Sequence, residues 1–331
     1  MKTISLFGAV ILYFFTICFV SCSKEDINVP EPKPAIPEYE TTFNFTLGYT
    51  YKVTDTNSGQ VMVDVHYEVA DVNTLVYVIH RKSDGHVLKM RRITPSQLED
   101  ITTDNIASVS DSLPEGKYYV TFVAFKNFNI ADNADVRSFL KPLTEDYDDA
   151  AIQIPNDYVH YATTEFEVSV IDGTNEPVFL LLKKMTTELV FEFYDADKVP
   201  NSNDYSLTVG VENIPSAFFI ATGKTLTAKE TEEKGLYLYF GQRDLAIPAT
   251  QGKAVISTFH TLSNDNIPTS ERGKYWFEFK ESANGGKPIR AASEELDKFT
   301  ADYSTSIYIY GLYDEEQPEV KAVTKTQKIE E

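Results

Sequence analysis

Alternation is the feature that most narrows what this chain can fold into. Phe43, Phe45 and Leu47 alternate with Asn44 and Thr46, and Val61, Val63, Val65, Tyr67 and Val69 alternate with Met62, Asp64, His66 and Glu68. A period of two puts successive side chains on opposite faces, so each run reads as a strand with one buried face. Further strands are expected over residues 75–79, 117–127, 164–171, 189–193, 207–211, 236–240, 254–259, 275–279 and 305–312. Asp84-Gly85, between two apolar runs, predicts a type I′ hairpin turn, whose central residues both need positive φ. Residues 117–127 are apolar on both faces, as in a central strand. In the second half only residues 293–299, with Glu294, Glu295 and Leu296, read as a helix, and Thr94-Pro95-Ser96 reads as the start of a short one. The abundance of aromatics, 20 Tyr and 21 Phe against 4 Met, agrees with strands. Short strands with few helices predict an all-β chain built from antiparallel sandwiches.

The first residues have a different character. Lys2 precedes an uncharged run from Ile4 to Val20, followed by Ser21 and Cys22. That order of cation, apolar stretch and small-residue site fits a signal peptide over residues 1–21. Phe19-Val20-Ser21-Cys22 resembles a lipobox, in which the Cys22 thiol is acylated and becomes the first mature residue. Ser23-Lys24-Glu25-Asp26 resembles the Lys-plus-acids signal of Bacteroidetes lipoproteins exported to the outer face of the outer membrane. Residues 22–39 then carry Pro30, Pro32, Pro34 and Pro37, which predicts an extended tether. Two sandwich domains are expected at 40–174 and 175–313, divided at the turn-forming cluster Asp172-Gly173-Thr174-Asn175-Glu176-Pro177. A polar tail over 314–331 completes the chain. A faint internal echo sets Gly116-Lys117-Tyr118-Tyr119-Val120 against Gly252-Lys253-Ala254-Val255-Ile256.

Little chemistry is visible. A net charge of −20 argues against nucleic acid as a partner. Cys18 lies in the segment to be removed and acylation consumes Cys22, so no Cys nucleophile, Cys-ligated metal or disulfide is expected. His80 and His86 flank one hairpin without a third ligand. The acidic clusters Asp132-Asn133-Asp135 and Glu145-Asp146-Asp148-Asp149 lack the spacing and the Gly of a calcium loop. No catalytic, cofactor-binding or metal residue is assigned, and an enzyme is not expected. Tyr308 with Tyr310, and Tyr237 with Tyr239, share strand faces and could stack on sugar or pack under a loop.

The layout of lipobox, Pro-rich tether and two sandwiches resembles the fimbrial subunit lipoproteins of the Bacteroidetes, the fimbrillins, and most of all their minor-fimbria anchor family. Residues 75–79 with the Asp84-Gly85 turn, Leu113-Pro114-Glu115-Gly116-Lys117-Tyr118-Tyr119-Val120, and Lys183 through Phe191 carry the resemblance. It implies tandem transthyretin-like, Greek-key sandwiches and a mechanical role on the cell surface. It also implies that other fimbrial subunits are partners through strand exchange, and that the outer membrane is held through the lipid on Cys22. In stalk subunits of the family a protease cuts after an Arg and removes the first strand, whereas an anchor keeps it. No Arg lies between Cys22 and Arg81, so the strand at 41–53 is expected to stay. Val320, Ala322 and Thr324 alternate within the tail and form a candidate donor strand. The competing reading is a glycan-binding surface lipoprotein of a polysaccharide-uptake system, with a hydrolase as a third.

Overall fold

The computed structural model describes residues 36–54, 61–66, 73–94, 106–126, 145–154, 157–169, 175–194, 199, 202–247, 255–281, 288–300, 303–312 and 321–328. The first half forms β1 (Glu38–Thr54), β2 (Val61–His66), β3 (Thr74–Arg81), β4 (Val87–Ile93), β5 (Ala107–Pro114), β6 (Gly116–Phe125), β7 (Ala151–Gln153), β8 (Val159–Val168) and β9 (Val178–Lys184). The second half forms β10 (Thr186–Phe193), β11 (Tyr205–Ile214), β12 (Ala217–Phe219), β13 (Tyr239–Leu245), β14 (Val255–Leu262), β15 (Lys274–Glu281), β16 (Pro288–Glu295), β17 (Tyr303–Tyr310) and β18 (Lys321–Lys328). A helix α1 (Ala228–Glu233) lies between β12 and β13. The chain is all-β in class, as its alternation requires.

Strands β2-β1-β9-β8-β6-β3-β4 pair in that order, with β5 on the other side of β1. The sheet turns back on itself where β9 and β8 meet, since they pair only at His160↔Lys184 and Tyr161↔Lys183. The layer β5-β1-β9 thereby faces the layer β8-β6-β3-β4. Rings that meet across the two layers show this: Phe43 lies 5.9 Å from Phe122 and 6.1 Å from Tyr77, and Phe45 lies 5.1 Å from Phe122. The second half repeats the plan with sheets β14-β10-β17-β18 and β13-β11-β15-β16. There Phe193 of β10 meets Phe277 of β15 edge-on at 5.7 Å. Neither sandwich is purely antiparallel. β1 runs parallel to β9 and β10 runs parallel to β17, because each unit joins its opening strand to a late one.

The expected division falls one strand early. The cluster before Pro177 connects β8 to β9 inside the first sandwich, and the chain crosses into the second at Met185, between β9 and β10. Nothing in that crossing resembles a linker. Met185 N–H donates to Val159 O at 2.7 Å, and Thr186 Oγ1 accepts from Val159 N–H at 3.1 Å. β7 and β12, one from each half, pair over Ala151–Gln153. Around them Val76, Val78, Val123 and Phe125 pack with Tyr147, Ile152, Phe218, Ile220 and Leu262. This second cluster is why β6 is apolar on both faces.

Several local expectations change. The hairpin between β3 and β4 is a longer loop than a type I′ turn. Gly85 alone has positive φ there (76°), and Gly85 N–H donates to Arg81 O at 2.8 Å. Asp84 braces it, accepting from His86 N–H at 3.1 Å and from Arg81 Nη1 at 2.8 Å. Residues 293–295 close β16 instead of opening a helix; Leu296 and Phe299 beyond them are buried in the second core without helical backbone. Their three-residue spacing imitated a helical stripe. The strand expected at 164–171 is β8, which starts at Val159. The 314–331 tail contains β18, paired antiparallel to β17. Pro95, Ser96, Asp132, Asn133, Asp135 and Gly252 lie outside the described residues.

Candidate functional site

β1 occupies the position on which the anchor reading depends. Its first half pairs antiparallel to β5, from Glu38↔Pro114 to Phe45↔Ala107, and residues 43–48 pair parallel to β9. Thr41, Phe43, Phe45 and Leu47 point inward and are buried, while Thr42 and Asn44 bond outward to Ser110 and Ser108 of β5. Alternation built this: an apolar residue at every second position fits one lane of a sandwich core. Removing β1 would leave β5 and β9 about 9–10 Å apart, two strand spacings, with a row of empty aromatic sockets between them. Burying each such side chain contributes roughly 1.5–3 kcal/mol, so the lane holds β1 firmly. Arg81, the first arginine, ends β3 with its N–H bonded to His86 O at 2.9 Å.

On its other side this layer ends at β5, which lies along β4 without backbone pairing among the described residues. Side chains close that seam. Lys89 of β4 holds Asp111 at 2.7 Å and donates to Ser112 O, and Arg91 donates to Ser110 O at 3.4 Å. The Tyr77 hydroxyl donates to Asp111 Oδ2 at 2.7 Å. Burial pushes the Asp111 carboxyl up, but Lys89, Tyr77 and the Ser112 amide together hold it below the usual carboxylate range.

The proposed donor residues divide. Val320 lies outside the described residues; Ala322 and Thr324 lie in β18, in register with Ile309 and Ile307. β18 thus forms the outer edge of its own sheet. Beside it, Tyr310 stacks on Tyr194 at 5.1 Å and Tyr308 lies 5.6 Å from the same ring. The Tyr194 hydroxyl donates to Glu192 at 2.8 Å, which pushes that phenol up to about 12. Position 194 escaped the alternation argument because it follows β10. The other tyrosine pair is no platform: Tyr237 is exposed, but Tyr239 packs on the second core.

His80 and His86 diverge. His80 is buried against Tyr147 at 5.5 Å, and burial depresses its pKa against the Glu145 backbone and the charge of Asp146. His86 is exposed and pairs with Asp146. Glu145 pairs with Lys234 at 3.1 Å, so these acids dock a turn against the hairpin and the helix. Among the described residues no group of side chains suits a metal, and no helix is long and apolar enough to cross a membrane. Cys22, Lys24, Glu25 and Asp26, with the signal segment and most of the tether, lie outside the described residues.

The edge of β9 was not foreseen. Its outward residues Phe179 and Leu181 are 68% and 36% exposed, although β9 is a sheet strand whose Leu180 and Leu182 fill the core. The apolar run Phe179-Leu180-Leu181-Leu182 was the available signal, since an edge strand with one wet face normally alternates.

No family model matches the chain, and no curated protein matches it in sequence. Solved structures similar to it include the fimbrial anchor protein Mfa2 from Porphyromonas gingivalis, at 11% identity and TM-score 0.44, covering 88% of this chain and 98% of that one. A fimbrial assembly protein from Parabacteroides distasonis is similar at 13% identity and TM-score 0.42, with 88% and 99% covered.

Proposed function

We propose that this chain is a lipid-anchored protein of the outer-membrane surface that holds a fimbria-like fibre at its base and joins neighbouring subunits by strand exchange. The observation that carries the reading is β1 in place: a full strand, buried on its inner face between β5 and β9 and preceded by a lipobox, with no Arg between Cys22 and Arg81. A subunit that keeps this strand has its own first lane filled and ends a fibre instead of extending it. Lipid on Cys22 then joins that end to the membrane, and Lys24, Glu25 and Asp26 direct export to the outer face. β18, an edge strand carrying Ala322 and Thr324, is the donor. No catalytic step is assigned to the protein.

Cys22→Ala tests the anchor. The variant is expected in the medium instead of the membrane fraction, and the native protein is expected to take up labelled palmitate. Membrane retention of the variant without label in the native chain would defeat the assignment. Sequencing the mature N-terminus gives a second test. A start at Cys22 fits an anchor, while a start near Val61 makes the chain a stalk subunit. The Tyr194, Tyr308 and Tyr310 cluster is the observation that favours the glycan-binding alternative, which requires retardation of the chain in gels containing soluble polysaccharide.

A further inference from the structure

We propose that the edge of β9 over Val178–Leu182, which no strand among the described residues covers, is a strand-docking site, which receives an extended segment of another fibre subunit with the chemistry of this chain's own β18. The proposal takes the fibre-subunit reading as its setting and adds a site to it.

The two sandwiches are copies in topology. β3 pairs with β4 and β6 as β11 pairs with β13 and β15, and β6 pairs with β8 as β15 pairs with β16. Likewise β1 lies between β5 and β9 as β10 lies between β14 and β17. The parallel registers correspond too: Phe43↔Val178, Phe45↔Leu180 and Leu47↔Leu182 match Leu189↔Thr305, Phe191↔Ile307 and Phe193↔Ile309. β17 is therefore the counterpart of β9. Its far edge is covered by β18 along Tyr303–Tyr310. Among the described residues nothing pairs with the same edge of β9 over Val178–Leu182, since β8 meets only Lys183 and Lys184.

That edge lacks the usual protection. Sheet edges are normally blunted by charge, proline or bulges. Here β4 carries Lys89, Arg91 and Arg92, β13 carries Arg243 and Asp244, and β16 starts with Pro288 and carries Arg290. Residues 178–182 carry no charge and no proline. Phe179 and Leu181 stand exposed on the outer face, and with Asn44, Thr46 and Ile106 they border a shallow depression of about 270 Å³. A strand laid along β9 would pair its outward residues with Phe179 and Leu181 while its backbone continues the sheet.

The occupant's chemistry follows from the transposed register. Val178 to Leu182 match Thr305 to Ile309, which pair with Thr326 to Ala322. Tyr303, opposite Lys328, matches Glu176, an exposed acid beside the edge. A β18-like segment would therefore set small or threonine side chains along the core and a cation against Glu176. Charge supports this, because a body at −20 favours a basic segment.

The test uses a labelled peptide of residues 319–328, EVKAVTKTQK, titrated into the full chain and followed by fluorescence anisotropy. Saturable binding is expected for this peptide and not for its scrambled sequence. The double substitution Phe179→Asp with Leu181→Asp is expected to weaken it at least tenfold, while Ile256→Asp, at an exposed apolar site elsewhere, leaves it unchanged. Hydrogen exchange on the unmodified chain gives a reading independent of any variant's folding: residues 178–182 are expected to gain protection when peptide is bound. No saturable binding, or binding with protection at β17 and none at 178–182, overturns the proposal. The assay contains neither membrane nor fibre, so its failure would leave the anchor reading standing, and loss of anchoring would leave this site standing.

Discussion

At the scale of single residues, the sequence spoke clearly wherever burial followed alternation. Phe43, Phe45, Leu47, Leu189, Phe191 and Phe193 are buried on the faces their spacing assigns. It was silent about the histidines, because whether an imidazole is buried depends on what crosses above it. His160 is the sharpest case. Burial first, and then the charges of Lys184 and Lys126, pull its pKa from 6.5 down to about 4. Between those values the unfolded chain binds a proton that the folded chain refuses, so stability falls as pH drops through that window. The full effect is on the order of 3 kcal/mol. His80 and His260 are shifted in the same direction and add to it. Urea unfolding is therefore expected to show a clearly lower midpoint at pH 4.5 than at pH 7. His160→Gln should reduce that difference. An equal pH dependence in the variant would show that His160 is not its source.

Elements were legible in type more than in extent. Strands were found because a period of two survives exposure of one face. The capping box at α1 is written in the sequence as Thr227 and Glu230: Thr227 accepts from Glu230 N–H at 3.2 Å, and the Glu230 carboxylate accepts from Thr227 N–H at 2.8 Å. A helix this short leaves no apolar stripe, so periodicity could not announce it. β18 was half legible. Its alternation is visible, but polar composition disguises its antiparallel pairing to β17, the strand directly before it. This changes what truncation does. Deleting residues 317–331 uncovers the edge of β17, so the truncated chain is expected to fold with a stability loss on the order of 2–4 kcal/mol, from several cross-strand pairs at 0.2–1 kcal/mol each. On the donor reading it should also reach the membrane and fail to hold fibre subunits, which would collect in the medium. Fibres held as firmly as by the intact chain would remove β18 from the donor role.

At the scale of the whole molecule, the sequence implied two units but misjudged how they are joined. The topology aligns Gly116-Lys117-Tyr118 with Gly273-Lys274-Tyr275, at the starts of β6 and β15. Both tyrosines are buried in corresponding cores, so this is the repeat that the fold preserves. The turn-forming cluster near Pro177 drew the boundary because such clusters often separate domains, but composition cannot distinguish a linker from a loop within a sandwich. The crossing at Met185, the β7–β12 ribbon and the cluster around Phe218 leave no flexible hinge between the halves. Gln153 reinforces the ribbon by donating to Ser216 at 3.2 Å and to Tyr237 O at 2.7 Å. Coupling of this kind means that a displacement of one sandwich reaches the other without an extensible linker. It also makes a calorimetric prediction. Residues 38–331 should unfold in one transition, with van't Hoff and calorimetric enthalpies that agree. Phe218 is fully buried in the junction, against Tyr161 at 5.1 Å. Phe218→Ala should cost about 3–5 kcal/mol and split the transition in two, because the lost contacts belong to neither sandwich core alone. Two transitions in the unmodified chain would mean that the junction couples the halves too weakly to act as a single strut.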